Sequence, residues 1–375
     1  MNLTGRLVLP TGIVSGRIEF NDKIVSVEVA ETDGPYILPG FIDTHVHGGG
    51  GSDTMDGAEG VRTLARFHLA HGTTTLYPTT ITNPWDDILH ALEGVCGVCA
   101  GIYAGTDQTL PDIPGVHLEG PFISPHRLGA QPPDTLEATP ERLAELLAFD
   151  IIRLVTLAPE ILGAEDAART FAKAKVRVSI GHTRADYRTV AHFAQVVRQA
   201  GGTLGFTHLY NAMGGMSGRD PGIVGAALSD PDAYSELILD LHHVHPASFL
   251  SALHAKAERL HLVTDSIRAT GLGDGPTELG GQPVTVRSGA ATLSDGTLAG
   301  STLTLDQALQ NAVSLGVPLA QASRMLSGIP ARYMGLRDRG ELVPGQRADL
   351  LVLNEGLEPL AVYVRGRQIV GEPVA

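Results

Sequence analysis

The chain opens with short stretches in which apolar and polar residues alternate, "GRLVLP", "GRIEFND" and "KIVSVEVA", broken by turn residues and free of helical spacing. A period of two marks strands with one buried face. The far end repeats the pattern: "GELVPGQRADLLVLNEGLEPLAVYVRGRQIV" reads as strand, turn, strand. Between Phe41 and Ser266 the pattern changes to eight short β-rich runs, "FIDTHVH", "TTTLYPT", "GVHLEGP", "IRLVTLAP", "VRVSIGHT", "TLGFTHLYN", "ELILDLHHV" and "RLHLVTDS". Most are separated by helix-length segments. Two of these, "GVRTLARFHLAHG" and "DYRTVAHFAQVVRQA", carry apolar residues at helical spacing. Eight such units close a TIM (β/α)8 barrel. Gln282 to Thr297 reads as an inserted hairpin, after which "LTLDQALQNAVSLG" returns to helix. The expected architecture is a barrel over residues 40–338 with a small β-sandwich built from both termini, residues 1–39 and 339–375.

Composition narrows the class. Of 375 residues, 43% are hydrophobic, with 45 glycines and 23 prolines, and no apolar run approaches the roughly 20 residues that span a bilayer. The first residues, "MNLTGRLVLP", carry neither a charged-then-apolar signal region nor a small-residue cleavage site, so a cytoplasmic location is expected. A net charge of -14 argues against nucleic acid as a partner and requires any anionic substrate to be met by a few local positive groups. Cys96 and Cys99 form a single CxxC. Without a second pair they read as buried thiols at a helix end.

Chemistry gathers where the barrel runs finish. His45 and His47 lie two apart at the end of the first run, so their side chains would project to one face while Val46 packs the other way. The glycines that follow would let the chain turn and leave open space above the pair. Glu119 ends the third run, His182 the fifth, His208 the sixth, His243 the seventh and Asp265 the eighth. The C-terminal ends of barrel strands share one mouth. Such a set of imidazoles and carboxylates is costly to bury without a cation, and its N/O donors suit zinc, iron or manganese. His117 shares a face with Glu119 and is expected deeper, as a core or supporting group. His68, His71, His90, His192, His254 and His261 read as structural.

The succession "LPGFIDTHVHGGGG", "HLEGPF", "SIGHT", "THLYNAM", "GRDPGIVG", "VTDS", "GTLAGSTLT" and "PGQRADLLVL" resembles the N-acetylglucosamine-6-phosphate deacetylase family of the amidohydrolase superfamily, from about residue 5 to residue 370. The first and last motifs support only the superfamily, whereas "HLEGPF" and "THLYNAM" with the arginine that follows are specific. The resemblance implies that Glu119, His182 and His208 bind a catalytic divalent metal. It also implies that His45, His47 and a bridging Glu119 hold a second ion, giving one or two ions per subunit. Asp265 becomes the acid and base of a metal-assisted amide hydrolysis. Substrate contacts fall to Ala130, Gln131, Asn211, Ala212, Arg219, Asp240, Leu241, His242, His243, Leu298, Ala299 and Gly300, with Arg219 and His243 as phosphate partners. Gly120 and Pro121 would only shape the backbone behind Glu119. Gln131 stands where some family members carry a carbonyl-polarising histidine, and His126 is the nearby residue that could replace it. The resemblance implies a homodimer acting on a small amino-sugar phosphate, N-acetylglucosamine 6-phosphate; the competing reading keeps the hydrolytic site and changes the substrate to N-acetylgalactosamine 6-phosphate or another N-acyl compound. A phosphosugar-binding protein without catalysis would require lost ligands, and none is lost.

Overall fold

The structure is a computed structural model, and it describes residues 1–371. Strands β1 (Asn2–Leu9), β2 (Gly12–Phe20) and β3 (Ile24–Val29) form where alternation placed them, followed by β4 (Tyr36–Pro39), which the alternation did not mark. The chain then enters β5 (Phe41–Val46) and makes a tight ribbon, β6 (Gly48–Gly49) and β7 (Ser52–Asp53). The remaining core strands are β8 (Thr73–Thr80), β9 (Val116–Glu119), β10 (Ile152–Leu157), β11 (Arg177–Ile180), β12 (Leu204–Phe206), β13 (Ser235–Ile238) and β14 (Leu260–Val263). All eight β-rich runs of the middle region are therefore strands.

Parallel pairing runs in the order β5-β8-β9-β10-β11-β12, with β13 and β14 paired to each other. Backbone hydrogen bonds join the two sets. Phe206 N–H donates to Tyr234 O at 3.0 Å and Leu209 N–H to Glu236 O at 2.8 Å, linking β12 to β13. On the other side Asp265 N–H donates to His45 O at 2.8 Å, and Thr264 Oγ1 donates to Asp43 Oδ2 at 2.6 Å. This closes the (β/α)8 barrel. Its helices bury one stripe each. The helix Ala164–Lys173, for example, buries Ala164, Ala167, Ala168, Phe171 and Ala172 at the three-to-four spacing that faces a sheet.

The segment read as a hairpin starts earlier and has three antiparallel strands, β15 (Gly275–Leu279), β16 (Gln282–Arg287) and β17 (Ala290–Thr292). The C-terminus likewise gives three strands, β18 (Leu350–Leu353), β19 (Pro359–Val364) and β20 (Arg367–Gly371). These pair with the N-terminal strands in one sheet ordered β20-β19-β18-β4-β1-β2-β3. Phe20 on β2 and Tyr363 on β19 stand four strand spacings apart, about 19 Å in a flat sheet. Their rings meet at 5.5 Å, so the sheet folds over on itself into a sandwich. In β18, Leu350 and Val352 enter the sandwich core while Leu351 and Leu353 enter the barrel core. Burial on both faces explains why "LLVL" has no polar member.

Candidate metal centre

The C-terminal strand ends surround a cavity of about 390 Å³. Its lining includes His47, Glu119, Ala130, Gln131, His182, His208, Asn211, Ala212, His243, Asp265, Leu298 and Gly300. His45 lies just beneath, with no exposed surface. Of the eleven non-glycine residues with positive φ among the described residues, His182, His208, Tyr210, Ala212 and Asp265 line this cavity. Backbone strain of this kind collects where a site over-determines its side chains.

Glu119, the last residue of β9, organises the cluster with its two oxygens. Oε1 lies 3.2 Å from His182 Nε2 and 3.1 Å from His208 Nε2. Oε2 lies 3.1 Å from His47 Nε2 and 3.5 Å from His45 Nε2. Asp265 Oδ1 faces the second pair, 3.4 Å from His45 Nε2 and 3.2 Å from His47 Nε2. Two overlapping sets share Glu119, one with His182 and His208 and one with His45 and His47, each within ligating reach of one point, and a third set, His45 with His117 and Glu236, adjoins them.

The ring orientations test whether these donors suit a cation. His47 Nδ1–H donates to Thr79 O at 3.2 Å, His182 Nδ1–H to Arg127 O at 3.0 Å, and His45 Nδ1–H to Glu236 Oε2 at 3.1 Å. With the proton on Nδ1, the lone pair of each neutral ring sits on Nε2. Those Nε2 atoms converge, 3.2 Å apart for His45 and His47 and 2.9 Å apart for His182 and His208. Lone pairs aimed at one another among carboxylate oxygens repel unless a positive charge lies between them. The contacts of Glu119 and Asp265 with oppositely charged groups are to histidines alone among the described residues. Burial by itself would lower the pKa of His45, yet Glu119 and Asp265 raise it well above its usual value, so in the absence of a metal the same carboxylates draw a proton to the ring in place of a cation. The donor set therefore fits a divalent metal centre.

The supporting groups behave differently. His117 lies deeper, its ring edge-on to His45 at 4.5 Å, and donates or accepts at Thr156 Oγ1 at 2.8 Å. Burial lowers it to about 3 and His261 to about 4, so both stay neutral. Gly120 turns the chain behind Glu119 with φ +75°, and a Cβ there would fall 2.0 Å from Thr82 Oγ1. Gly48 and Gly49 do not leave open space above the histidine pair. They form the β6–β7 ribbon, and a Cβ on Gly48 would meet Arg268 N at 2.6 Å, so close backbone packing is what excludes side chains there.

Gln131 is fixed from both ends: its Oε1 accepts from Thr82 N–H at 2.8 Å, and its Nε2 donates to Glu119 Oε2 at 2.6 Å. His126 is exposed and outside the cavity lining. Asp240 gathers its own turn, accepting from His242 N–H and His243 N–H and pairing with His243 Nδ1 at 2.7 Å. Burial works against a charged His243, but this carboxylate holds its pKa above the ordinary value. Leu241 and His242 are exposed, and Ala299 is buried behind the cavity wall. Arg219 lies exposed in the loop after Asn211 and does not line the cavity.

Sequence reading missed several residues. Leu279, Gly296 and Thr297 bring the inserted β15–β17 region to the cavity, together with Ile81 and Tyr210. Glu236 was missed as well. It sits at 1% exposure in the middle of β13. The signal was present, because an ionisable residue inside a strand that is buried throughout needs a partner.

Comparison with known proteins agrees with this geometry. The amidohydrolase family model matches residues 36–369. An N-acetylgalactosamine-6-phosphate deacetylase of Escherichia coli O157:H7 is 39% identical over 92% of this chain and 90% of its own. An N-acetylglucosamine-6-phosphate deacetylase of Vibrio furnissii is 37% identical over 89% of this chain and 82% of its own. Among solved structures, an aspartate-to-alanine variant of the Mycobacterium smegmatis N-acetyl-D-glucosamine-6-phosphate deacetylase, in complex with N-acetyl-D-glucosamine-6-phosphate, superposes with a TM-score of 0.90. It is 33% identical, and the match covers 99% of both chains. The chain belongs to the metal-dependent amidohydrolase family, among its N-acetylglucosamine-6-phosphate deacetylases and their galactosamine counterparts.

Proposed function

We propose that this protein hydrolyses the acetamide of N-acetyl-D-glucosamine 6-phosphate, releasing acetate and glucosamine 6-phosphate, with a divalent metal held by Glu119, His182 and His208 and a second by His45, His47 and Glu119. The observation that carries the reading is the division of Glu119, one oxygen toward each histidine pair, beneath Asp265 in a single cavity. A divalent cation in such a site polarises an acyl carbonyl and makes water nucleophilic near neutral pH.

The chain's own groups supply the rest. Asp265 accepts the proton of the attacking water and returns it to the sugar nitrogen, because an amine leaves far more readily when protonated. Gln131, locked by Thr82, offers its remaining amide N–H to the acyl end of the substrate. His243, paired with Asp240, whose carboxylate favours its charged form, serves the phosphate. Arg219 stands outside the cavity of its own chain, which supports a role from the second copy of a homodimer. Substrate choice is tested by deacetylation assays on phosphorylated and unphosphorylated GlcNAc and GalNAc. Turnover confined to GlcNAc 6-phosphate is expected, and a preference for the galacto epimer would transfer the assignment to that sugar. Chelation should abolish turnover and added divalent metal restore it.

A further inference from the structure

We propose that Glu236 is a positioning residue for the second metal ion: it fixes the tautomer of His45 and supplies negative charge behind it. The inference rests on the two-ion reading above. The other ring contacts provide the contrast. His47 and His182 donate Nδ1–H to backbone carbonyls, of Thr79 and Arg127, while His208 Nδ1 has no partner among the described residues. His45 alone among the four is backed by a carboxylate, Glu236 Oε2 at 3.1 Å. An acceptor there holds the proton on Nδ1, turns Nε2 toward the cavity and makes the ring a stronger donor.

Glu236 is itself held in place. Its Oε1 accepts from Thr44 Oγ1 at 3.2 Å, and Thr44 Oγ1 lies 3.1 Å from His261 Nε2. The carboxylate thus reaches from β13 across the barrel to β5, in a strand where every residue is buried. Such a placement is costly for an acid unless its charge is used. Two divalent ions would otherwise face only Glu119 and Asp265 as carboxylates in contact with the histidines. Glu236 adds a third negative charge next to the ion at His45 without being one of its three proposed ligands, and among the described residues Glu119, His182 and His208 have no carboxylate hydrogen-bonded behind them. The role is thus specific to one ion of the pair.

The test is a zinc titration of metal-free wild type, Glu236→Gln and Glu236→Leu, reading the affinity of each ion. The second ion is expected to bind about 10- to 100-fold more weakly in both variants, the range for loss of a group behind a ligand. The first ion should keep its wild-type affinity. Nitrogen-15 NMR of the zinc-loaded, histidine-labelled protein should show the strongly hydrogen-bonded Nδ1–H of His45 in wild type and its loss in Glu236→Leu. A structural role would not move one ion selectively. If Glu236→Leu does not fold, Glu236→Gln decides alone. Wild-type affinity for both ions in the folded variants, or equal weakening of both, would overturn the role. Wild type that takes up only one ion would overturn the two-ion reading itself, and this role with it.

Discussion

The two ends of the barrel both bury carboxylates, and the source of the opposing charge differs. Near the N-terminal strand ends, where the barrel meets the sandwich, Asp112 accepts from Arg339, from Arg347 Nη1 at 2.7 Å and from Arg365 Nη2 at 3.2 Å. Asp349 pairs with Arg347 at 2.9 Å and caps Arg365 N–H. Every charge there is met by another part of the same chain. At the C-terminal mouth no guanidinium or ammonium among the described residues meets Glu119 or Asp265: apart from the neutral amide of Gln131 on Glu119, their partners are imidazoles, whose Nε2 lone pairs face each other. A guanidinium fills its site permanently and cannot be exchanged, so the first cluster joins two layers of the fold. The second has donors without a built-in cation, and that is the condition for taking up a metal and presenting it to a substrate.

Substitutions at each end should separate the two roles. Asp265→Asn is expected to cut turnover by about 100- to 10,000-fold, the usual worth of an acid–base group, while metal content and melting temperature hold. Near-normal turnover at equal metal content would remove Asp265 from the chemistry. Asp112→Asn should act in the opposite sense, lowering stability by about 3 kcal/mol or more by leaving buried arginines without their partner, while turnover per folded molecule is kept. Burial pushes Asp112 up, but Arg339 and Arg347 outweigh it and hold its pKa below the ordinary value. A depressed folded pKa contributes stability above the unfolded pKa of about 4 and loses it as pH falls through the folded value. The gap between wild type and Asp112→Asn should therefore be flat near neutrality and close only in acid, which melting curves across pH would show.

Smaller effects sharpen the boundary of the mouth. Arg219→Ala should cost about 1.5–3 kcal/mol in kcat/KM for the sugar phosphate and almost nothing for the unphosphorylated sugar. Equal losses on both would assign Arg219 to the fold or to a subunit contact. His126→Ala should leave kcat and KM unchanged, since the residue is exposed and outside the cavity. A selective loss of kcat there would place it in the reaction after all.

Local pattern made a good part of this molecule legible. The eight barrel strands follow from short apolar runs separated by helical spacing, and strand-end polarity singled out His45, His47, Glu119, His182, His208 and Asp265 because a barrel delivers its strand ends to one mouth. β4 escaped because "YILP" has no alternation to read: Ile37 faces the sandwich core and Leu38 the barrel core. The lining role of Leu279 and Thr297 escaped because an insertion has no periodicity that says where it folds back.

What the sequence determined by itself is the inventory: which residue types stand at which strand ends, and hence the family and the kind of chemistry. Tertiary structure alone decided which nitrogen of each imidazole faces the cavity, because that depends on acceptors such as Thr79 O, Arg127 O and Glu236 that are remote in the chain. It also decided that Asp112 would be neutralised from within while Glu119 would not. Both are matters of distance and direction between atoms brought together only when the barrel closes, and Coulomb and hydrogen-bond energies depend on those quantities rather than on residue spacing.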